Sequence, residues 1–423
     1  MAKSNYKVLI YDNRGGSYLN VAQCLAPYFD KCGYYSECRD AFPNPALSQI
    51  GAGFESFERV NNFWSELDNW DIIVFPDGGF QDMADHLKKI GKLVFGGSHM
   101  YDIEENRGLF HNLSERAGLP TAPTIVVQGI KNLETALKTK KDKWIKISKW
   151  RGLIETYHWI DYKSSKFWID ELKHKLGPLG NLDVIEFVIQ DPIDCIAEIG
   201  GDYYTLNGQL PSSQIVGLEN KDCGYVGKVT KDIPEPIKYV NDKFAPILNS
   251  YNSSGFYSTE IRYTAQGEAY YTDAACRAGM PPSSSYLTNI SNWNEIIPAI
   301  AKGEWVEPKY KSIYMVELIL KSNYARDGYL PVTFPDEYKD NITFKGAMKV
   351  DGQVFIVPFS YSNIDMVEFG SVVVNDDNLD SAINKALEIA SSIQAYEYRY
   401  ELAAADIIKE DIQKMNDALD YNF

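Results

Sequence analysis

Two carboxylates on neighbouring strand-like segments are the residues of this sequence best suited to chemistry. Glu260 and Asp273 are 273 − 260 = 13 residues apart, and Gln266-Gly267 between them is typical of a hairpin turn. Their side chains can therefore meet across the hairpin on one face. Two carboxylates held together repel each other unless a cation lies between them, which is how a Mg²⁺ site is built. The pattern predicts such a site; its alternative is a pair of solvated strand carboxylates.

The composition restricts the ligands and partners of this chain. It has 58 acidic and 42 basic residues and a formal charge of −16, so its surface repels phosphate backbones and nucleic acid is not expected as a partner. The five histidines are scattered and the six cysteines form no CxxC pair. A metal site must therefore be built from carboxylates, which favours Mg²⁺ or Mn²⁺.

The apolar residues bear on location. No apolar run approaches the roughly 20 residues that span a bilayer. Residues 1–11 contain no extended apolar stretch before a small-residue cleavage site, so no secretory signal is expected. We therefore expect a cytoplasmic protein without a membrane partner, and 423 residues suffice for two to four domains.

The first part of the chain alternates strand and helix signals. Short apolar runs at 7–11, 71–75 and 92–95 each end in a glycine-containing turn, which is typical of a parallel α/β sheet. Gly15-Gly16 and Asp77-Gly78-Gly79 follow two of these strands. Ligands bind at the carboxyl edge of such sheets, so we expect an acceptor with an anionic group between Gly16 and Gly79. The alternative is a pair of ordinary tight turns.

The rest of the chain mixes antiparallel strands with helices, an α+β pattern. Strands are predicted at 144–148, 156–160, 183–189, 196–199, 256–263 and 269–273. Beyond a linker near Pro308, strand signals appear at 314–320, 347–350, 354–357 and 371–374. One long helical pattern follows from Asn378 to about Ala418.

The order of the acidic residues resembles a known arrangement. A strand acid (Glu260), a hairpin and then Asp273-x-x-x-Arg277 is similar to the metal-binding hairpin of ATP-grasp enzymes. That family usually has Glu-x-Asn-x-Arg, whereas Asp273 replaces the glutamate and Ala275 the asparagine here. The resemblance implies that Glu260 and Asp273 hold at least one metal ion.

Three further segments follow the layout of the same family. Lys146 lies in a strand that resembles the one whose lysine reaches the ATP phosphates. Lys149 begins a segment, 149–155, at the place of the family's flexible glycine-rich loop, although it keeps one glycine. The segment around 184–188 resembles the hinge strand whose backbone reads the adenine edge. The resemblance thus implies ATP contacts at Lys146, Lys149, Glu186, Phe187, Val188 and Asp194.

Within ATP-grasp, the chain most resembles the phosphoribosylamine–glycine ligases. Gly15 and Gly16 resemble their first phosphate-binding turn, and Arg107 stands where they have an ATP-contacting lysine. Lys221 lies in a segment similar to their Asp-His-Lys. Their Thr-Gly-Gly-Met-Gly stretch has no counterpart, because residues 223–227 read Cys-Gly-Tyr-Val-Gly. We therefore expect the ATP half to be retained and the substrate half to differ, with a product other than glycinamide ribonucleotide.

The resemblance implies an ATP-grasp fold with an N-terminal parallel α/β domain (1–118), a small lid (119–183), a central domain with the metal hairpin (184–304) and a C-terminal domain (305–423). It also implies an ATP-dependent carboxylate–amine ligase that acts on small molecules through an acyl-phosphate intermediate. The expected cofactors are ATP and Mg²⁺ (or Mn²⁺), and the expected oligomeric state is a monomer or homodimer. The expected roles are catalysis by Arg277 and Lys221, ATP binding by Arg107 and the six residues given above, acceptor binding by Gly15, Gly16, Asp77 and Gly79, and metal binding by Glu260 and Asp273. Two alternatives remain: a catalytically impaired nucleotide-binding protein or partner subunit, and a ligase that modifies a nucleotide.

Overall fold

The computed structural model describes residues 3–13, 15–37, 45–148, 156–177, 182–220, 223–358 and 367–423. These residues form a parallel N-terminal sheet, a small antiparallel lid sheet, a large central sheet and a three-stranded sheet. The mixed α/β and α+β class predicted from the sequence is confirmed. Within the described ranges, no helix combines the length and the apolar character needed to cross a membrane.

The N-terminal sheet is parallel and covered by helices on both faces. Its strand order is β3-β2-β1-β4-β5. Val8, Leu9 and Ile10 in the middle strand are all fully buried, as expected when helices pack on both sides of a sheet. The elements are β1 (Ser4–Asp12), α1 (Leu19–Leu25), β2 (Phe29–Ser36), β3 (Glu58–Arg59), α2 (Phe63–Glu66), β4 (Ile72–Phe75), α3 (Gln81–Lys89), β5 (Leu93–Gly96), α4 (Tyr101–Glu105) and α5 (Arg107–Arg116).

The lid is a four-stranded antiparallel sheet with two helices on one face. Its order is β6-β9-β7-β8, and its own core contains Trp159, Trp168 and Phe187. The elements are β6 (Thr124–Gln128), α6 (Ile130–Leu137), β7 (Lys143–Ile147), β8 (Thr156–Trp159), α7 (Tyr162–Leu176) and β9 (Glu186–Gln190).

The central sheet has nine strands, eight of them in the order β14-β13-β10-β11-β12-β15-β20-β17, while β21 pairs with β15. The small sheet has the order β16-β19-β18. The strands are β10 (Ala197–Leu206), β11 (Gln214–Asn220), β12 (Gly224–Thr230), β13 (Ser254–Tyr263), β14 (Ala269–Ala275), β15 (Tyr314–Ser322), β16 (Leu330–Val332), β17 (Ile342–Phe344), β18 (Ala347–Val350), β19 (Gln353–Ile356), β20 (Val367–Asp376) and β21 (Tyr398–Arg399). The helices are α8 (Glu235–Ser250), α9 (Ser283–Asn289), α10 (Trp293–Lys302), α11 (Leu379–Ser392) and α12 (Ala404–Leu419).

Two features differ from the sequence-based expectations. The central sheet continues through β15, β20 and β17, so it crosses the boundary expected at residue 305, and β9 pairs within the lid although it lies beyond residue 184. The prediction of a single helix from 378 to 418 was wrong, because this segment contains α11 and α12. They are separate helices because Gln394 pairs with Thr333 and Tyr398 pairs with Ser322, which draws the intervening chain into strand contacts.

The N-terminal and central sheets meet backbone against backbone. Gly255 has φ +121°, and a Cβ built on it would lie 2.6 Å from the Cα of Gly96. The backbone N–H of Ser254 donates to Ser98 Oγ over 3.3 Å, and the ring of Phe256 packs on that of Phe95 at 4.9 Å. This contact, hereafter the glycine joint, fixes the hairpin that carries Glu260 and Asp273 against the carboxyl edge of the N-terminal sheet.

Candidate active site

The metal hairpin places its two carboxylates directly opposite each other. Glu260 on β13 is the register partner of Asp273 on β14. The turn is closed by a hydrogen bond from the Gly267 N–H to the Thr264 carbonyl, with Gly267 in the left-handed conformation at φ +81°. This is the three-residue loop geometry in which glycine supplies the positive φ.

A β-bulge next to the pair had no signal in the sequence. The register shifts between Glu260 and Ile261, so Thr272 is an extra residue and both Thr272 and Asp273 oppose Glu260. The Thr272 hydroxyl donates to Glu260 Oε1 at 3.0 Å and lies 3.1 Å from the Glu260 carbonyl. The bulge therefore holds the Glu260 carboxylate in place through Thr272 and leaves Asp273 directly opposite it.

Two cations lie against this hairpin from different parts of the fold. Arg107 Nη1 is 2.5 Å from Asp273 Oδ1, and Lys146 Nζ donates to the Thr272 carbonyl over 3.3 Å. Lys146 comes from β7 of the lid and Arg107 from the first turn of α5. The structure thus brings Lys146, Arg107, Glu260 and Asp273 together around one space.

The electrostatics of the pair are asymmetric. Desolvation by the surrounding protein atoms, followed by repulsion from Asp273, raises the pKa of Glu260 to about 7, although part of the residue is exposed to solvent. The same desolvation acts to raise the pKa of Asp273, but the charges of Arg107 and Lys146 outweigh it and the pKa is lowered. Burial and the neighbouring Arg107 lower the pKa of Lys146. A divalent cation between the carboxylates would relieve their repulsion.

The donor set fits a magnesium ion that keeps other ligands. Glu260 and Asp273 supply carboxylate oxygens, and no group of three or more acidic, histidine or cysteine ligands occurs among the described residues. Mg²⁺ in phosphate-transfer sites is held by one or two carboxylates, with phosphate oxygens and water completing an octahedron. Ala275 on the same strand offers no side-chain oxygen, so the pair suits one such ion.

A cleft between the lid, α5 and β14 adjoins this pair. Its empty volume is about 420 Å³, and it is lined by Arg107, Phe110, His111, Ser114, Pro120, Thr121, Ala122, Lys146, Val188, Gln190, Ile193, Tyr270, Tyr271 and Thr272. The lining is apolar and aromatic on one side and cationic at the end next to Asp273.

The hinge residues divide between the two faces of β9. The side chain of Val188 lines the cleft, whereas the side chain of Phe187 is fully buried in the lid core, so only its backbone is available to a ligand. Glu186 Oε1 accepts a hydrogen bond from the Ser148 hydroxyl at 2.8 Å. Asp194 lies in the exposed connection from β9 to β10, and Lys149 lies outside the described residues.

Arg277 is placed at the meeting point of the hairpin and the N-terminal sheet. Its Nε is 2.8 Å from Glu104 Oε1 and 3.9 Å from Asp77 Oδ1, and the next residue, Ala278, donates its N–H to the Pro76 carbonyl. Burial would lower the pKa of Arg277, but the charges of Glu104 and Asp77 outweigh it and raise the pKa. An anionic acceptor would have to compete with Glu104 for this guanidinium.

The glycines expected to bind the acceptor differ in what surrounds them. At Gly15 and Gly79 an added Cβ would meet open space. At Gly16 it would lie 2.8 Å from the Cα of Gly346, and the Gly16 carbonyl accepts the Gly346 N–H at 2.8 Å. Gly16 is therefore packed against the C-terminal part of the chain. Lys221 lies outside the described residues.

This packing predicts that Gly16→Ala destabilises the protein by about 2 kcal/mol or more, because backbone atoms of Gly346 cannot move aside as a side chain can. Gly15→Ala is the matched control: its φ is also positive, at +58°, but no atom lies nearby, so only the conformational cost of roughly 1 kcal/mol remains. Urea unfolding of both variants compares them. Equal losses at the two positions would contradict the packing of Gly16 against Gly346.

Several polar residues near the site were not identified from the sequence. Lys345 Nζ is 2.9 Å from Glu368, and both come from the C-terminal region. Tyr286 on α9 is 2% exposed, and its hydroxyl has no hydrogen-bond partner among the residues that the structure describes. Its charged or polar neighbours are Asp202, Tyr18, Glu317 and Arg277. No local pattern marks these residues, because contacts from remote parts of the chain create their surroundings.

Comparisons with known proteins identify the fold. No protein-family model matches the sequence, and neither does any curated protein sequence. Among solved structures, 446 chains match. Phosphoribosylamine–glycine ligase from Thermotoga maritima has a TM-score of 0.69 and 16% identity, covering 93% of this chain and 98% of that one.

Two other matches come from enzymes bound to ADP. The biotin carboxylase domain of 2-oxoglutarate carboxylase from Hydrogenobacter thermophilus, solved with MgADP, ADP and bicarbonate, has a TM-score of 0.65 and 10% identity, covering 99% of this chain and 100% of that one. N5-carboxyaminoimidazole ribonucleotide synthetase, solved with ADP, has a TM-score of 0.56 and 16% identity, covering 92% and 97%. The structural neighbours are thus ATP-grasp enzymes, and the ATP-grasp fold expected from the sequence is confirmed.

Proposed function

We propose that this chain is an ATP-dependent ligase that joins the carboxylate of one small molecule to the amine of another. The observation that supports it best is the convergence of Glu260, Asp273, Lys146 and Arg107 on one space beside the cleft. Two carboxylates for a divalent cation and two cations for phosphates are the parts that phosphoryl transfer requires. The structural neighbours solved with ADP agree with a nucleotide in this cleft.

In the first step, a substrate carboxylate oxygen attacks the γ-phosphorus of ATP, and the bond between that phosphorus and the β–γ bridging oxygen breaks. The products are an acyl phosphate and ADP. Lys146 and Arg107 bind phosphate oxygens on which negative charge accumulates, and Glu260 and Asp273 are the residues that would hold the metal ion. Mg²⁺ supplies charge neutralisation of the phosphate oxygens when bound.

In the second step, the amine attacks the acyl carbon, the bond from that carbon to the phosphate oxygen breaks, and the nitrogen loses a proton. Arg277 lies beside the N-terminal sheet edge, 2.8 Å from Glu104, where its guanidinium can orient the carboxyl or acyl-phosphate group. Gly15 and Gly79 leave open space at that edge for the acceptor. For Lys221 we propose a role in the first step, where its charge would stabilise the transferring phosphoryl oxygens.

Trapping with hydroxylamine tests this function directly. If an acyl phosphate forms, incubation with ATP, Mg²⁺ and the correct acid should yield a hydroxamate in the absence of any amine, and ADP release should require that acid. The panel should contain amino acids, dicarboxylates and nucleotides with a carboxyl group, which also tests the alternative of a nucleotide-modifying ligase. A phosphate-transfer reaction without hydroxamate for any acid would contradict the acyl-phosphate route.

A second candidate is a nucleotide-binding protein with impaired catalysis. Ala275 on the metal strand and the ion pair between Arg107 and Asp273 favour it, because both reduce the ligands ready for metal ions. ADP affinity measured by calorimetry together with ADP release separates the two. Tight binding of Mg·ADP with no ADP release from ATP for any acid and amine pair would favour this candidate.

A further inference from the structure

Arg107 makes a contact that a simple phosphate-binding role does not require. The residue is 8% exposed, and its Nη1 lies 2.5 Å from Asp273 Oδ1. Asp273 is one of the two carboxylates that face each other across the hairpin. In this arrangement, an internal guanidinium neutralises the carboxylate that the metal ion is expected to bind.

The backbone of Arg107 is fixed by the lid while its side chain reaches the hairpin. The Arg107 N–H donates to Ser148 Oγ at 3.1 Å, and the Ser148 hydroxyl donates to Glu186 Oε1 at 2.8 Å. Asn106 caps the same helix by accepting the Leu109 N–H at 2.8 Å. Only the side chain of Arg107 is therefore able to change partner without disturbing α5.

A guanidinium and a divalent cation on one carboxylate repel each other strongly at contact distance. The repulsion is removed when phosphate oxygens lie between them, because each cation then has its own anionic partner. Arg107 also lines the cleft next to Lys146, so its side chain has phosphate oxygens within reach once a nucleotide is present. Arg107 has Asp273 as one partner in this structure, and a bound nucleotide would offer phosphate oxygens as another.

We propose that Arg107 holds the place of the metal ion on Asp273 and transfers to a phosphate group when a metal–nucleotide complex enters. This rests on the proposed nucleotide site. Metal ion alone then binds weakly, since it must displace an internal cation, and metal and nucleotide bind cooperatively. Arg107 thereby keeps the two carboxylates from holding a free divalent ion in the absence of nucleotide.

The test uses Mn²⁺, whose free concentration is read by electron paramagnetic resonance, with and without ADP. Arg107→Met should raise the affinity for Mn²⁺ alone by about tenfold or more and lower the affinity for Mn·ADP by a similar factor. The factor by which ADP tightens Mn²⁺ binding should therefore fall by about tenfold or more. If Arg107 were a purely structural residue, its loss would instead weaken the binding of both Mn²⁺ and Mn·ADP.

Lys146→Met is the matched control, because it removes one positive charge from the same cleft. Lys146 donates to the Thr272 carbonyl and forms no ion pair with a carboxylate of the described residues. Lys146→Met should raise Mn²⁺ affinity much less than Arg107→Met does. Arg107→Lys keeps the charge and shortens the reach, so it should shift Mn²⁺ affinity in the same direction by a smaller factor, and it serves if the methionine variant fails to fold.

Unchanged Mn²⁺ affinity in both Arg107 variants, or an equal gain in Lys146→Met, would overturn the exchange of partners while leaving nucleotide binding in place. A wild-type protein that binds neither Mn²⁺ nor Mn·ADP would instead overturn the proposed nucleotide site itself, and with it the proposed role of Arg107. The two failures are thus distinguishable by the wild-type measurement alone.

Discussion

Glu260→Gln is expected to reduce Mg²⁺-dependent nucleotide turnover by roughly 10³-fold, because a neutral amide oxygen is a much weaker magnesium ligand and the metal contributes several kcal/mol of charge stabilisation. The fold should persist. Glutamine has nearly the same shape, and its amide oxygen can still accept the hydroxyl of Thr272, which donates to Glu260 Oε1 at 3.0 Å. Removing the repulsion with Asp273 should leave metal-free stability equal or higher.

The measurement is ADP release at saturating Mg·ATP, together with thermal unfolding in the absence of metal. Glu268→Gln is the matched control: it removes an exposed acidic charge from the same hairpin, where Glu268 Oε2 accepts a hydrogen bond from the Tyr270 hydroxyl at 3.1 Å. It should retain most of the turnover. Normal turnover by Glu260→Gln would refute the assignment of this residue to the metal site.

Arg277→Met should lower the free energy of unfolding by about 3 kcal/mol and should also lower turnover. Glu104 and Asp77 are 7% and 5% exposed, and the substitution removes the guanidinium that lies 2.8 Å from one and 3.9 Å from the other. Taking away one partner of a buried ion pair leaves an uncompensated charge in a low-dielectric environment, which is strongly destabilising. Urea unfolding measures the loss.

A double variant separates charge from packing. Adding Glu104→Gln to Arg277→Met removes the carboxylate left behind, while the amide oxygen can still accept the Cys276 N–H, which now donates to Glu104 at 2.7 Å. Stability should return by 1 kcal/mol or more, whereas turnover should stay low because the guanidinium is absent. A double variant no more stable than Arg277→Met would show that the ion pair does not account for the loss.

The parts of the site that sequence reasoning located are those defined by local pattern. The pairing of Glu260 with Asp273 follows from two strands and a glycine turn within 14 residues of chain, counting both ends, and the cross-strand geometry is set by that short loop. Lys146 could be placed in a strand from its flanking apolar residues. The role of each residue remains a prediction that the variants above test.

The parts that were missed depend on contacts between distant segments. The bulge at Thr272 adds a residue without any change in the apolar pattern, so nothing in the strand indicates it. The packing of Gly16 against Gly346 joins residues 330 positions apart. Likewise, the pairing of β12 with β15 that carries the central sheet across residue 305 is non-local, since a strand pattern predicts a strand but not its neighbour.

The C-terminal helix shows how periodicity can mislead. Apolar residues recur at helical spacing on both sides of residues 393–403, which favoured one continuous helix. The tyrosine-rich segment between them pairs with β15 through Tyr398 and Ser322 instead. Aromatic side chains suit a pleated strand surface, and the available edge of β15 decided the outcome.

The glycine joint has a consequence for the design of inhibitors. Gly255 and Gly96 are in main-chain contact, so no side chain separates the two sheets at that point, and the Ser254–Ser98 hydrogen bond would have to break before the sheets could slide. Shape change during turnover is then left to the lid, whose strands form a separate sheet. We expect the edge proposed for the acceptor to bind stiff, preorganised ligands best, because its own shape is fixed. The cleft proposed for the nucleotide, which the lid lines, should accommodate bulkier and more flexible ligands.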